Sequence, residues 1–286
     1  MAANYLFLFL FSFLSFTLQA REKPPLDIWF LDVGQGDAAY LQLPSGKNAL
    51  IDGGPGASEY DPFDAGKEVI IPFLESLGVE KIDFIVASHA HLDHIGGLIP
   101  VMERFQIGTV YDTGFEYPSY AYDAFLETIK NKKIKYAMIS SGKKLDWDPS
   151  LKIEIIGPPE KLFIGGSDCN DNSLIMKVSY GKISFMFTGD AEKRAELSAA
   201  NKYGDKLTST ILKVGHHGSE TSSTTKFLTH VFPEVAIIEC GRNNRFGHPH
   251  RSTVKRLEKF GARIYRTDTN GTIKVRTDGK KYWILK

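Results

Sequence analysis

The sequence contains little cysteine, has almost no net charge, and has no long apolar run in its interior. Two cysteines in 286 residues are too few for a disulfide scaffold, and the absence of a C-x-x-C pair excludes the usual cysteine-based zinc site. Lysine and arginine number 35 against 34 acidic residues, so a polyanionic partner would need a local basic patch. With 42% hydrophobic residues the chain can bury a full core, and we expect one globular domain over residues 21–286.

The amino terminus carries the only pronounced apolar run. Residues 5–18 are almost entirely apolar and are followed by Ala20 and then by charged residues, which predicts a signal peptide over residues 1–20. The run is shorter than the about 18 apolar residues typical of a membrane span, which favours cleavage. We therefore expect a secreted or periplasmic protein. Because no lysine or arginine precedes the run, an uncleaved N-terminal membrane anchor is the alternative. In an oxidising compartment Cys169 and Cys240 could form a disulfide or remain separate thiols.

Short strand-like runs alternate with helical patterns over the rest of the chain. Residues 27–51 resemble a β-meander, and helices and strands alternate from residue 69 to residue 260. Three closing strands are predicted from Arg263, Thr272 and Tyr282, with Asn270-Gly271 as a hairpin turn. Strands that are apolar on both faces require helices outside them, so the predicted fold class is α/β (α+β), a four-layer αββα sandwich. The loop-rich stretch 140–167 is predicted to be a variable insertion.

Four ligand-type side chains follow the apolar strand predicted at residues 82–87. They are His89, His91, Asp93 and His94. His89 and His91 lie two positions apart in an extended turn and could hold one metal ion, while Asp93 and His94 could face a second. Imidazole and carboxylate ligands suit zinc, with manganese or iron as alternatives. The segment therefore predicts a metal centre at the end of a buried strand.

Two further strand ends carry ligand-type residues. Asp190 follows the strand predicted at 183–188, and His216 and His217 follow the strand at 209–214. Several strand ends that deliver ligands to one edge are what a shared site requires. The spacing does not decide between His216 and His217, although the glycine–histidine match favours His216.

These residues resemble the metallo-β-lactamase superfamily, whose HxHxDH signature occurs here as residues 89–94. More narrowly, the chain resembles the C-terminal hydrolase domain of the ComEC competence proteins and related stand-alone phosphodiesterases. The resemblance is carried by the following blocks: Leu31-Asp32-Val33-Gly34-Gln35-Gly36-Asp37, Asp52-Gly53-Gly54, Asn172-Ser173-Leu174, Thr188-Gly189-Asp190, His216-His217-Gly218-Ser219 and Gly247-His248-Pro249-His250.

The resemblance implies two divalent metal ions, zinc or alternatively manganese. In this assignment His89 and His91 hold the first ion, and Asp190 bridges the two. The second ion is held by Asp93, His94 and one histidine of the pair His216 and His217. The β-lactamase pattern has a further histidine before the bridging aspartate, and this chain lacks it. Residues 169–173 occupy that region, which puts the first metal position and lactam hydrolysis in doubt.

The expected chemistry is hydrolysis by a metal-activated water, with Asp93, Asp190 and His248 as catalytic candidates. Phosphate oxygens suit amide, backbone and guanidinium donors, so a phosphodiester is the expected substrate. The candidate substrate-binding residues are Asn170, Asn172, Ser219, Arg242 and Arg245. For the Gly34–Asp37 and Asp52 segments a structural role beneath the metals is favoured over ligation.

Three functions fit this sequence. The first is a phosphodiesterase or nuclease, with extracellular DNA as a candidate substrate. The second is an esterase that acts on phosphorylcholine-type esters or a lactonase, and the third is a non-catalytic metal-binding surface protein. Retention of every HxHxDH position argues against the third. No stable protein partner is indicated, and a membrane contact is expected only if the N-terminal segment is uncleaved.

Overall fold

The computed structural model describes residues 23–285. The predicted signal peptide and the alternative anchor lie outside these residues. In the described part of the chain, no helix is both long enough and apolar enough to cross a membrane.

The first of two sheets has eight strands in the order β15-β14-β1-β2-β3-β4-β5-β6. Strands β3 to β6 run parallel to one another, whereas the other pairings are antiparallel. The strand bounds are as follows: β1 Leu26–Phe30, β2 Ala39–Gln42, β3 Asn48–Ile51, β4 Lys81–Val86, β5 Gln106–Asp112, β6 Lys135–Met138, β14 Ile273–Thr277 and β15 Tyr282–Leu285.

The second sheet has seven strands in the order β13-β12-β11-β10-β9-β8-β7. Strands β10 to β13 are parallel, and β7 to β10 are antiparallel. The bounds are as follows: β7 Lys144–Leu145, β8 Leu151–Gly157, β9 Ile175–Tyr180, β10 Ile183–Phe187, β11 Ile211–Lys213, β12 Val235–Ile238 and β13 Arg263–Arg266.

Helices cover the outer face of each sheet. On the first sheet lie α1 (Ile71–Ser76), α2 (Leu92–Ile95), α3 (Leu98–Arg104) and α4 (Tyr120–Asn131), and α1 is preceded by a π-helical turn, Gly66–Ile70. The second sheet is covered by α6 (Lys193–Tyr203), α7 (Thr225–Val231) and α8 (Arg251–Lys259). The short turns α5 (Asp168–Asp171) and α9 (Thr267–Asn270) and the 3₁₀ turns Gly204–Leu207 and Gly215–Gly218 lie in connections.

The alternation of side chains along the strands explains the four layers. In β1, Phe30 packs between the two sheets, while Trp29 packs beneath the helices of the first sheet. In β10, Phe185 faces the other sheet and Met186 faces the helices α6 and α7. Because successive strand residues point to opposite faces, apolar residues at every position require cover on both faces. The predicted αββα sandwich is confirmed.

The predicted Asn270-Gly271 hairpin is wrong. Strand β13 belongs to the second sheet and β14 to the first, so the two cannot pair. Asn270 instead ends the helical turn α9, and its Oδ1 accepts a hydrogen bond from the backbone N–H of Arg266. The hairpin at this end of the chain joins β14 to β15, and Gly279 in it has a positive φ of 83°.

Strand β5 is absent from the sequence-based prediction, although it pairs with both β4 and β6 inside the first sheet. The stretch 140–167 is loop-rich, as expected, and it also contains β7 and β8, which complete one edge of the second sheet.

Trp147 provides a test of the core between the sheets. Its ring is 1% exposed and stacks on Phe84 with centroids 4.8 Å apart. We expect Trp147→Ala to lower the free energy of unfolding by about 3–5 kcal/mol, because a large cavity would remain. The matched control is Trp283→Ala on β15, where the tryptophan is 45% exposed. We expect its free energy of unfolding to change by about 0.5 kcal/mol, as is typical of surface substitutions. Urea unfolding measures both, and equal losses would contradict this placement of the core.

Candidate metal centre

Strand ends from both sheets meet at one edge of the sandwich. Asp52 follows β3 and His89 follows β4, two parallel strands of the first sheet. Asp190 follows β10 and His217 follows β11, two parallel strands of the second. Because the carboxyl ends of parallel strands lie at the same edge, each sheet delivers its polar residues to one place.

One group of ligand atoms lies deep in this edge. The side chains of Asp37, His94, Asp190 and His217 are buried, and each places one ligand atom within 4.8 Å of the others. Asp93 lies at the rim of the group, with its carboxylate one-third exposed and its Oδ2 3.3 Å from His217 Nε2. Asp37, for which a structural role was favoured, therefore lies as close to this position as the residues predicted to be ligands.

His89 and His91 lie beside this group and form the core of a separate position, the one assigned above to the first ion. His89 Nε2 lies 2.9 Å from His91 Nδ1, while His89 Nδ1 lies 3.1 Å from the Ser88 hydroxyl. The Sγ atom of Cys169 lies within 4.8 Å of the ligand nitrogens of both histidines. Cys169 was not predicted as a ligand, although residues 169–173 occupy the region of the missing histidine. Within the described residues it and Cys240 are free, buried thiols in different hydrophobic clusters.

Asp190 connects the two positions. Its Oδ1 lies 3.2 Å from His94 Nε2, and its Oδ2 lies 3.5 Å from His217 Nε2 and 3.9 Å from His89 Nε2. The backbone N–H of Asp190 donates to Ser173 Oγ, which fixes the turn after β10. The carboxylate of Asp190 therefore lies between His89 on one side and His94 and His217 on the other.

The structure separates His216 from His217. The two residues have left-handed φ angles of 49° and 52°, so the turn directs their side chains differently. His217 is buried, and its Nδ1 donates to the carbonyl oxygen of Glu239 at 2.9 Å, which leaves Nε2 facing Asp93 and Asp190. His216 is partly exposed, and its Nδ1 lies 3.1 Å from Glu192 Oε1. The geometry favours His217, against the sequence-based preference for His216.

Groups behind the ligands fix their orientation. Asp52 Oδ2 lies 3.0 Å from His94 Nδ1, and Asp52 Oδ1 accepts from the backbone N–H of Ser88. A carboxylate behind a histidine holds its ring so that the other nitrogen points inward. Lys213 ends β11 and donates to Asp37 and to the carbonyl of Gly189. Lys213 lies within the strand predicted at 209–214, and its residue type gave no sign of this contact.

The charged groups of this cluster shift one another's pKa values. Burial raises the pKa of Asp190, but the facing histidines His217, His94 and His216 outweigh it and hold the pKa well below its usual value. Burial lowers the pKa of His217, but Asp190 and Asp37 raise it to about 10. The cluster is therefore rich in negative charge, and protons on the histidines or a bound cation must balance it.

The residues fit a metal centre. Among residues 23–285, several buried atoms of the cluster have no hydrogen-bond partner, although such atoms are normally paired. They are Asp37 Oδ1, His94 Nε2, Asp190 Oδ1 and His217 Nε2. Inward-facing imidazole nitrogens beside carboxylates are the donor set that divalent transition metals take.

The other predicted site residues divide into two groups. His248 lies beside the centre, with ring centroids 5.3 Å from His216 and 6.1 Å from His217. Asn170 donates to Glu192, and its buried Oδ1 has no partner among the described residues. Asn172 has a different role from the one predicted: its amide binds the backbone of Phe163 and the carbonyl of Asp168, so no amide hydrogen remains for a substrate.

Ser219, Arg242 and Arg245 make local contacts. The Ser219 hydroxyl pairs with that of Thr221, and Arg242 Nε donates to the carbonyl of Asp268. Arg245 is exposed and lies over the ring of Phe246 at 5.0 Å. Because Phe246 stacks on His248, Arg245 belongs to the loop beside the centre.

A cleft of about 880 Å³ opens at the other side of the centre. Asp93 and His91 line it where it meets the metal ligands, and Tyr117 and Tyr120 line its wall. Its charged lining is mainly acidic, with Glu59, Asp64 and Glu103 against Lys67. The centre therefore lies between an arginine-bearing loop and an acidic, aromatic cleft.

The fold and the ligand cluster together define the class of protein, a metal-dependent hydrolase built on a two-sheet sandwich. The model of the metallo-beta-lactamase superfamily matches residues 31–241. The chain belongs to the metallo-β-lactamase superfamily.

Within this superfamily, the chain is similar to the ComEC competence proteins. It is 30% identical over 260 residues to ComE operon protein 3 of Bacillus subtilis. This match covers 87% of this chain and 33% of that protein. It is 30% identical over 266 residues to competence protein ComA of Neisseria gonorrhoeae, covering 93% and 34% respectively. The chain therefore spans about a third of the length of these relatives.

Solved structures support the fold at low identity. CmlA, a diiron beta-hydroxylase from Streptomyces venezuelae, matches with a TM-score of 0.55 and 13% identity over 88% of this chain and 54% of that chain. A diphosphatase from the PhnP family matches with a TM-score of 0.50 and 15% identity over 91% of this chain and all of that chain. At these identities the likeness concerns the fold alone.

Proposed function

We propose that this protein is a metal-dependent phosphodiesterase that holds two divalent ions, zinc or manganese, and uses a metal-activated water. The observation that carries the proposal is the position of Asp190, whose carboxylate faces His89 on one side and His94 and His217 on the other. Two ions at such a centre supply a nucleophile at neutral pH and stabilise the attacking and leaving oxygens of a phosphoryl group. Similarity to the ComEC family supports a nuclease, with extracellular DNA as a candidate substrate.

The proposed activity assigns a role to each residue of the centre. His89 and His91 hold the first position, and His94, His217, Asp37 and Asp190 surround the second. Asp93, at the exposed rim, is placed to orient the attacking water and accept its proton. Its pKa is lowered by His217 and His94 against the effect of burial, so it is ionised.

His248 is placed to stabilise charge rather than to donate a full proton. Gln35 Oε1 accepts from the backbone N–H of Gly241, so its amide nitrogen faces His248 Nδ1 at 3.5 Å. Nδ1 is then the acceptor and Nε2 carries the hydrogen. Burial and the nearby histidines lower the pKa of His248 to about 4, so the ring is neutral at pH 7. A neutral N–H can donate to a developing negative charge without transferring its proton.

The cleft favours a second candidate, cleavage of a phosphorylcholine-type ester. A quaternary ammonium group binds well to aromatic and acidic side chains, and Tyr117, Tyr120, Glu59 and Glu103 line the cleft next to Asp93. A DNA strand would be repelled by this lining and would have to lie along the loop that carries Arg242 and Arg245. We propose export to the periplasm or the exterior for either activity.

Turnover by the protein reconstituted with zinc or manganese tests the proposal. We expect hydrolysis of bis(p-nitrophenyl) phosphate, loss of turnover on chelation, recovery on return of the metal, and loss in Asp93→Ala. Plasmid DNA and p-nitrophenyl phosphorylcholine, assayed in parallel, separate a nuclease from a head-group esterase. No turnover of any of the three by protein with metal bound would refute the proposal and favour a non-catalytic metal-binding protein.

A further inference from the structure

The metal position formed by His89 and His91 shares Asp190 with the other position, but it lacks the further histidine of the β-lactamase pattern, so one place at a four-coordinate zinc ion has no assigned protein ligand. Cys169 lies at this position, with Sγ within 4.8 Å of the ligand nitrogens of both histidines. It is 6% exposed and lines a separate pocket of about 480 Å³, which His91 also lines. The thiol is therefore almost fully buried.

Packing places the thiol against the histidine turn. Cys169 belongs to the same buried cluster as Ala90, the residue between His89 and His91. Cys169 lies in the turn α5, and the next residue after this turn, Asn172, is hydrogen-bonded to Phe163 and Asp168. The turn that carries the thiol is therefore tied to the preceding loop.

The two histidines face each other in a way that a metal ligand pair explains. His89 Nε2 and His91 Nδ1 are 2.9 Å apart, and each neutral ring has one lone-pair nitrogen. His89 Nδ1 lies 3.1 Å from the Ser88 hydroxyl, whose oxygen can accept a hydrogen bond from Nδ1–H, and Nε2 is then the lone-pair atom. Asp190 Oδ2, 3.9 Å from His89 Nε2, adds a carboxylate from the other sheet.

We propose that Cys169 is a protein ligand of the first metal position beside His89, His91 and Asp190, bound as a thiolate after its proton passes to solvent. The proposal rests on the metal centre of the proposed function but not on its substrate. The position then offers two imidazoles, one thiolate and the shared carboxylate of Asp190, a tetrahedral set that suits zinc. The second position has more carboxylate oxygens and accepts harder ions such as manganese. The two positions consequently differ in metal preference.

Cys240 provides the comparison for a cysteine that only packs. It is also buried, with 0% of its surface exposed, but it lies in the hydrophobic cluster beneath α6 to α8. Within the described part of the chain it belongs to no group of three ligand-type residues. Cys240→Ser is therefore the matched control for Cys169→Ser.

Cobalt(II) substitution tests the proposal by a spectroscopic signature that does not depend on activity. We expect the wild-type protein and Cys240→Ser to show a sulfur-to-cobalt charge-transfer band in the near ultraviolet beside the visible d–d bands. Cys169→Ser should lose the charge-transfer band and retain d–d bands from the second position. Cys169→His should restore binding at the first position without that band. In the zinc form, X-ray absorption should show one sulfur neighbour at about 2.3 Å.

The outcomes separate the ligand from the function. Wild-type protein with d–d bands but no charge-transfer band would overturn the proposal, as would a band that persists in Cys169→Ser. A band that depends on Cys169, in protein that hydrolyses no phosphodiester, would support the ligand and refute the proposed function. Hydrolysis without any sulfur signature would do the reverse.

Discussion

Asp190→Asn is expected to abolish hydrolysis and to remove at least one metal ion from each chain. The substitution keeps the size of the side chain but removes the charge that faces His89, His94 and His217. Removal of a group behind a metal ligand lowers metal affinity or activity by about 10–100-fold. Removal of a ligand shared by both ions should therefore lower activity by more than about 100-fold. Turnover of bis(p-nitrophenyl) phosphate and metal content by plasma emission spectrometry measure the two effects.

Asp205→Ala is the control for this prediction. Asp205 is exposed, lies in the turn after α6 and pairs with His230. We expect wild-type turnover and metal content in this variant. Asp190→Asn protein that is folded by circular dichroism, carries two ions and retains activity within 10-fold would contradict the bridging role.

Lys213→Met is expected to lower the free energy of unfolding by about 3–5 kcal/mol, because it leaves a buried carboxylate without its cation. Lys213 and Asp37 form an ion pair in which both side chains are almost fully buried. Burial lowers the pKa of Lys213, but Asp37, Asp190 and Glu239 raise it above its ordinary value, so the ammonium group stays charged. Methionine has a similar length and no charge. Urea unfolding of metal-depleted protein measures the loss.

The double variant Asp37→Asn with Lys213→Met tests the cause. Removal of both charges should recover much of the stability lost in Lys213→Met, because no charge remains buried without a partner. If the free energy of unfolding of Lys213→Met lies within about 0.5 kcal/mol of the wild-type value, the ion pair contributes little to stability. Losses that simply add in the double variant would show that the two groups act independently.

The sequence predicts the parts of the fold that depend on local pattern. Strands β1 to β3 form the meander predicted over residues 27–51, and the four layers follow from apolar residues on both faces of the strands. The prediction of a hairpin at Asn270-Gly271 was wrong because this dipeptide favours a tight turn whether or not the flanking strands belong to the same sheet. Which sheet β13 and β14 join is decided by pairing with distant strands, β12 and β1.

The site was predictable where its ligands are consecutive and unpredictable where tertiary structure supplies them. The HxHxDH segment lies on one turn after one strand, so its spacing indicates a metal centre. Cys169 and Lys213 reach the centre from other elements, and neither belongs to a ligand motif in the sequence. The choice between His216 and His217 depends on left-handed backbone angles in the turn after β11, which residue type alone does not determine.

The most direct test of the account is anomalous diffraction from crystals of the zinc-loaded protein, recorded on both sides of the zinc edge. The account predicts two peaks at the shared edge of the two sheets, on either side of Asp190. One should contact His89, His91 and Cys169, and the other His94 and His217. A single peak, or zinc bound away from Asp190, would contradict the two-metal centre on which the proposed function depends.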